Sequence, residues 1–485
     1  MREGDTVTRN PKLEEFRNQV AGKTATVVGL GISNLPVIDF LLSCGMTVTG
    51  RDLKNDDKMK SISSDLARKG VNTFLGEHYL EDIRDDYIFK APGIRGDLPP
   101  FRAAVENGSV LTSEMQVFFD LCPASIFAVT GSDGKTTTTT LIYTFLSEQF
   151  KRSGSGNRVF VGGNIGKPLL PVIEEIREND AVVLELSSFQ LHAMRSSPHV
   201  ACITNVTPNH LNWHTGMEEY IDSKKTIYRH QTRLDRLVLN ADNPVTYSMA
   251  SEAQGHVTLF SSSRTPSEND PCDAFLYLDN SVISLWNRED PVPYPVLDTK
   301  DIFIPGRHNV ENYMTAIGAV RGWVDPETIL SVAKTFRGVE HREEFVCEKQ
   351  GIRFYNSSID SSPTRTIAAL NAFPQKLIVI LGGYDKHIPF DALCEPLAVH
   401  AKGIVYTGAT RDLIRNTLES SPVFRKAGIP SVTEPDFFAA IDAAKGMAEP
   451  GDIVILSPAC ASFDSFANFE ERGKAFKQHV LSYTD

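Results

Sequence analysis

Short apolar runs rich in β-branched residues alternate along most of the chain with longer stretches of helical periodicity. The runs are TATVVGL, MTVTG, YIFKAP, IFAVTG, AVVLELS, VACITNV, RLVLN, LIVILGG, GIVYTG and DIVILS. They are continuously apolar, which predicts strands buried on both faces and therefore parallel sheets covered by helices in α/β units. No short-period repeat interrupts this order. The stretch PGRHNVENYMTAIGAVRGW (305–323) reads as a helix, and SSSRTPSENDPCDAF (261–275) as a surface loop or the lead-in to a hairpin.

A chain of 485 residues exceeds what one hydrophobic core supports, so the pattern is divided into three α/β domains. A Rossmann-like domain is expected over 1–122, a central P-loop ATPase-like domain with a parallel sheet over 123–338, and a second Rossmann-like domain over 339–485. The first boundary precedes the strand IFAVT; the second precedes the strand and helix series that begins near RFYNSS.

The formal net charge of -12 excludes a surface built to neutralise nucleic-acid backbones, so any phosphate ligand must meet a small local site. Seven cysteines without paired spacing fit reduced, packing thiols better than disulfides or zinc ligands. The N-terminal MREGDTVTRNPKLEEF is charged, and no later run approaches the ~18 apolar residues of a membrane helix. A cytoplasmic monomer without nucleic-acid or membrane partners is expected.

The strongest local signal is AVTGSDGKTTTT, a strand running through Gly131, Ser132, Asp133, Gly134, Lys135, Thr136 and Thr137 into a helix. Glycines let backbone N–H groups face a phosphate, the helix N-terminus adds positive potential, and a lysine neutralises the transferring end. Thr136 is placed to hold magnesium. Only two residues separate the glycines, against four in the general G-x-x-x-x-G-K-T loop, but strand, helix and GKT together disfavour a mere Gly-rich turn.

Other residues are ambiguous by themselves. Glu185 ends an apolar strand, where a carboxylate is rare unless paired or metal-bound. A lone histidine such as His210 is more often structural, and Lys224 with Lys225 would ordinarily be solvated helix lysines. Asn164, Ser187 and Gln190 could be turn formers, and Asn309 a helix N-cap. VVGLGISN supplies Gly29 and Gly31 but has Asn34 where a dinucleotide fold wants a third glycine, which leaves NAD binding open. Cys460 reads as packing, since no activating histidine is evident nearby.

The chain resembles the Mur ligase family through motifs kept in order along nearly its whole length: the short G-x-x-G-K-T-T loop, GGNIG (162–166), LELSSFQL (184–191), TNVTPNHLNWH (204–214), YIDSKKTIY (220–228), VLNADN (238–243), GRHNVENYMTA (306–316), HRE (341–343), LGGYDK (381–386) and SPACASFDSFANFEERG (457–473). LELSSFQ and the last motif are most similar to the D-glutamate-adding members. The Asp-Asn-Pro-Arg tetrapeptide of the diaminopimelate-adding relatives is absent.

The resemblance implies ligation of D-glutamate to UDP-N-acetylmuramoyl-L-alanine through an acyl phosphate, with ATP and magnesium. Lys135 would sit on the β- and γ-phosphates, Thr136 and Glu185 would hold one magnesium, and His210 a second. Lys224, spaced from Tyr220 as Y-x-x-x-K, would be carbamylated and bind metal. Asn309 and Asn312 would contact adenine, and Arg342 would reach the ATP phosphates on domain closure. Gly29, Gly31, Ile32 and Ser33 would hold the UDP diphosphate, with Asp52 near the uridine and Pro92 and Gly93 in the adjoining turn, where Ala91 replaces a serine. Asn164, Ser187 and Gln190 would lie near the muramoyl and alanyl groups, and Lys386, Ser462 and Phe469 near D-glutamate. Departures are Asn209 and Asn212 for aspartates, HREE for HRFE, and YNSSIDSS (355–362) for YNDSKATN, where Asp360 could stand in for the acid lost at Ser357. The alternatives are a Mur-type ligase for another amino acid, such as L-glutamate, and a non-catalytic nucleotide-binding relative.

Overall fold

The structure, a computed structural model, describes residues 10–31, 33–210 and 213–484. Each apolar run singled out above is a strand of one of three sheets.

The first sheet is wholly parallel, in the order β3-β2-β1-β4-β5, and comprises β1 (Thr24–Val28), β2 (Thr47–Asp52), β3 (Asn72–Leu75), β4 (Tyr87–Lys90) and β5 (Val110–Thr112). The second contains β6 (Ser125–Thr130), β7 (Val159–Gly163), β8 (Ala181–Glu185), β9 (Val200–Ile203), β10 (Arg236–Asn240), β11 (His256–Ser261), β12 (Ala274–Asp279), β13 (Val282–Asn287) and β14 (Tyr294–Asp298), in the order β14-β13-β12-β11-β10-β9-β6-β8-β7. The third contains β15 (Glu344–Lys349), β16 (Ile352–Asn356), β17 (Leu377–Gly382), β18 (Ala401–Thr407), β19 (Ser431–Thr433) and β20 (Ile453–Leu456), in the order β15-β16-β20-β17-β18-β19.

The second and third sheets are mixed rather than purely parallel. β12, β13 and β14 form an antiparallel meander, and β15 pairs antiparallel with β16. The cause is local. Gln350 and Gly351, at φ 54° and 74°, join β15 to β16 as a two-residue turn whose positive φ values suit the twist of a hairpin. Asn280, at φ 55°, opens the two-residue connection between β12 and β13. The loop 262–273 leads into that meander.

The chain divides into two compact units. Met1–Asp298 with Glu311–Ile329 carries the first two sheets, and Thr299–Val310 with Leu330–Asp485 carries the third. In the first unit β6 lies between β8 and β9, all three parallel and completely buried over most of their length. Their carboxyl ends therefore bring Thr130, Glu185 and Ile203 to one edge of the sheet, where the loops that follow can meet a ligand. Among the described residues no helix is long and apolar enough to cross a membrane.

Candidate active site

The phosphate loop leaves β6 at Thr130 and enters the helix Lys135–Ser153. Gly131 has φ 149° and Gly134, the N-cap, φ 78°. A side chain at Gly131 would collide with the Thr204 hydroxyl, and one at Gly134 with the Asn312 amide oxygen, so both positions require glycine. The segment after β9 holds the loop. Ser132 N donates to Asn205 O at 2.9 Å, Ser132 Oγ donates to Thr207 O at 3.0 Å, and Tyr220 shares a 2.9 Å hydroxyl contact with Ser132. Asp133 N donates to Asn205 Oδ1 at 3.0 Å, and Thr204 Oγ1 donates to Asp133 O at 2.5 Å. Lys135 folds back to give its ammonium to Gly131 O and Ser132 O, both at 2.9 Å. Thr136 is half-buried at the helix start, Thr137 is buried, and Thr138 Oγ1 donates to Asn312 Oδ1 at 3.2 Å.

Glu185 ends β8 and is 2% exposed. Asn164 steers it twice, donating its backbone N–H to Glu185 O at 2.7 Å and its Nδ2 to Glu185 Oε1 at 2.8 Å. The second carboxylate oxygen, Oε2, is buried with no hydrogen-bond partner among the described residues. Such an oxygen is costly unless something pairs with it.

Lys224, in the helix Met217–Arg229, is 1% exposed, whereas Lys225 carries a surface ion pair with Glu252. The two adjacent lysines thus have opposite fates. Lys224 Nζ donates to Gly131 O at 2.9 Å and to Thr130 Oγ1 at 3.4 Å, and lies 4.7 Å over the Tyr220 ring. Burial, reinforced by the Lys135 charge, holds its pKa well below the usual lysine value. His210 adopts a left-handed φ of 55°, and its ring packs 5.0 Å from that of Phe189. Burial first, then the charges of Lys135 and Lys224, pushes its imidazole below the ordinary range. Asn209 accepts the His210 backbone N–H at 2.9 Å, while Asn212 lies outside the described residues.

No group of three or more His, Cys, Asp or Glu side chains that could hold a metal ion by themselves occurs among the described residues. A lone buried carboxylate at the end of a strand beside a phosphate loop nevertheless suits magnesium, which keeps several waters and takes phosphate oxygens alongside one or two protein carboxylates. The orphaned Glu185 oxygen fits that donor set.

Ser187 and Gln190 form a capping box on the short helix Ser188–Leu191, with Ser187 Oγ donating to Gln190 Oε1 at 2.9 Å. Gln190 also lines a cavity of about 280 Å³ together with Asn164, Ser33, Asn34 and Pro92. Asp52 closes the glycine-rich turn, accepting from Leu30 N at 2.7 Å and Lys54 N at 2.8 Å. Gly29 has φ 88°, and a side chain there would press on Ala91; Gly31 faces open space. Ile32 lies outside the described residues. Gly93 O accepts Trp213 Nε1 at 2.9 Å, and Arg95 binds both Glu219 carboxylate oxygens, at 3.1 and 2.8 Å. The turn 91–95 is thereby tied to the helix that carries Lys224. Sequence reading missed this tie, since nothing local to Arg95 names its partner.

In the second unit Asn309 lies inside the first turn of the helix Arg307–Val320, so it is not that helix's N-cap, and its Nδ2 donates to Pro305 O at 2.6 Å. Arg342 sits between His341 and Glu343, both at positive φ. Asp360 is buried, accepts from Ser457 Oγ at 2.8 Å and hydrogen-bonds Ser357, so an acid does stand beside position 357; burial raises its carboxyl to about 6. Lys386 is exposed and contacts Ser361 Oγ at 3.3 Å. Ser462 is buried, and Phe469 O, at the start of the helix Phe469–Leu481, accepts from Ser358 Oγ at 2.8 Å. All seven cysteines are free, and burial lifts the Cys460 thiol to about 11, which suits packing rather than nucleophilic attack.

A buried strand-loop-helix phosphate cradle backed by an acid and a lysine defines a nucleotide-dependent α/β enzyme. The Mur ligase middle domain model matches residues 129–320, and the Mur ligase, glutamate ligase domain model matches 341–460. The UDP-N-acetylmuramoylalanine--D-glutamate ligase of Acetivibrio thermocellus is 48% identical over 98% of this chain and 99% of that protein. That of Clostridium novyi is 45% identical over 96% of this chain and 98% of its own length. The solved UDP-N-acetylmuramate-alanine ligase of Thermotoga maritima shares the fold, with a TM-score of 0.55 at 19% identity, covering 95% of this chain and 99% of that one. The chain belongs to the Mur ligase family, whose members depend on ATP.

Proposed function

We propose that the chain joins D-glutamate to UDP-N-acetylmuramoyl-L-alanine, cleaving ATP to ADP and phosphate. The observation that carries the ATP-dependent step is the meeting of Lys135 and Lys224 on the Gly131 carbonyl, in a loop whose glycines cannot be replaced. Full-length similarity to ligases named for this reaction supports the choice of amino acid.

A carboxylate is a poor electrophile, so one oxygen of the alanyl carboxylate attacks the γ-phosphorus of ATP, giving an acyl phosphate and ADP. The D-glutamate amine then attacks the acyl carbon and loses a proton, and the tetrahedral intermediate expels phosphate. The protein's task is positioning and charge neutralisation. Lys135 exchanges its two carbonyl partners for the β- and γ-phosphates, and the N–H groups of Gly134 to Thr137 at the start of the helix face the same oxygens. Asn309 and Asn312 contact adenine, and Arg342 the ATP phosphates.

Thr136 and Glu185 hold one magnesium, and His210 with Lys224 a second; bound magnesium supplies positive charge that screens the transferring phosphoryl group. Lys224 is suited to this because burial depresses its pKa and so raises the share of neutral amine, which can add to carbon dioxide and lose a proton to become a carbamate. The cation thereby becomes a carboxylate-like ligand. Gly29, Gly31, Ile32, Ser33, Asp52, Pro92 and Gly93 bind the UDP part, Asn164, Ser187 and Gln190 the muramoyl-alanyl part, and Lys386, Ser462 and Phe469 the D-glutamate. In this reading residues 1–122, 123–338 and 339–485 serve the UDP-sugar, ATP and amino acid respectively, in a cytoplasmic monomer.

Phosphate release measured across a panel of amino acids tests the proposal. D-glutamate alone should drive turnover; turnover with L-glutamate instead would move the assignment to another Mur-type ligase, and nucleotide binding without turnover to a non-catalytic relative.

A further inference from the structure

Lys90 ends β4 and is 2% exposed, yet its ammonium makes no hydrogen bond or ion pair with any described residue. It lines the cavity of about 280 Å³ together with Ser33, Asn34, Glu114, Asn164 and Gln190. The absence of a side chain at Gly96 leaves room for its stem, since a Cβ there would lie 3.3 Å from Lys90 Cε.

Neither nearby acid forms an ion pair with it, although the Asp97 charge partly offsets the burial that lowers its ammonium to about 8. Asp97 commits both carboxylate oxygens to Arg95, at 2.9 and 2.8 Å. Glu114 accepts from Leu170 N at 3.2 Å, and burial raises its carboxyl to about 7, which weakens it as an anion. A buried, unpaired cation is unfavourable unless a ligand completes the pair. The wall it shares is also electropositive: the helix Leu35–Ser43 begins beside Ser33 and Asn34, and among the described residues no side chain caps that end. The glycine-rich turn packs directly on the residue after Lys90, because Gly29 would touch Ala91 Cβ at 2.7 Å if it carried a side chain.

We infer that Lys90 is a substrate-binding residue whose ammonium pairs with the diphosphate of the nucleoside diphosphate sugar in this cavity. The inference rests on the proposed function, in which the substrate is UDP-linked. The diphosphate is favoured over the alanyl carboxylate because that carboxylate must reach the phosphate loop, whereas Lys90 shares its wall with the glycine-rich turn.

Calorimetric titration of UDP-N-acetylmuramoyl-L-alanine, UDP and uridine into the full-length wild type and Lys90→Met tests it. UDP and the UDP-sugar should bind the variant roughly 10- to 100-fold more weakly, as expected for loss of a charge-assisted contact, with uridine and ATP unaffected. KM for the UDP-sugar should rise while kcat at saturation stays close to wild type, and Lys90→Arg should recover part of the affinity. Lys90→Gln serves if the methionine variant does not fold. Unchanged UDP affinity would overturn the inference, as would a loss confined to the muramoyl-alanyl substrate. Wild-type protein that binds no UDP-sugar would instead remove the functional reading beneath it.

Discussion

Lys224 and Lys135 donate to the same acceptor, the carbonyl oxygen of Gly131, each at 2.9 Å. Two ammonium groups converging on one oxygen repel, and the deeply buried member yields its proton more readily. Lys224 is that member, with its pKa held well below the usual value.

Replacing Lys224 with Ala should therefore lower ligation by roughly a hundredfold or more while leaving the fold intact, as for loss of a group that organises transition-state charge. Short carboxylates added to Lys224→Ala should restore part of the rate, and 13C-labelled carbon dioxide should give a carbamate signal in wild type only. Activity of the variant close to wild type, or indifference to added carboxylates, would remove the carbamate.

Glu185→Gln keeps the acceptor for Asn164 Nδ2 but exchanges a carboxylate oxygen with no partner among the described residues for a neutral amide group. Phosphate release should fall by a factor on the order of 100, with a higher magnesium requirement. A magnesium titration of the two proteins checks this, and superimposable curves would take Glu185 out of the metal site.

The Arg95–Glu219 pair, about one-fifth exposed on each side, joins the turn after β4 to the helix bearing Lys224. Arg95→Met should cost roughly 1.5–3 kcal/mol of stability by urea unfolding and raise KM for the UDP-sugar, because it removes charge-assisted bonds at both ends. ATP affinity should not change.

Glu114 supplies a pH signature. Its folded carboxyl keeps a proton up to about 7, whereas the unfolded chain releases it near 4.5. The folded state binds more protons in that window, so stability falls as pH rises from about 4.5 to about 7 and then levels off, by roughly 3 kcal/mol in total. Glu114→Gln retains an acceptor for Leu170 N and should flatten this slope in unfolding experiments across the range; an unchanged slope would assign it to other groups.

The strands, the phosphate loop and the order of motifs were legible in the chain because each rests on neighbours in sequence: continuous apolar runs make buried strands, and Gly131, Gly134 and Lys135 are set by one turn. The mixed character of two sheets was missed, although Gln350-Gly351 carried the hairpin signal in two residues whose backbone tolerates positive φ.

What the chain determined by itself is thus the α/β pattern, the nucleotide loop and membership of a ligase family. The tertiary structure alone decided which lysine of the Lys224–Lys225 pair is buried, that Arg95 grips Glu219, and that one oxygen of Glu185 and the Lys90 ammonium have no hydrogen-bond partner among the described residues. Burial and pairing depend on atoms brought together from distant parts of the chain, and electrostatic energies follow that surrounding density rather than the identity of adjacent residues.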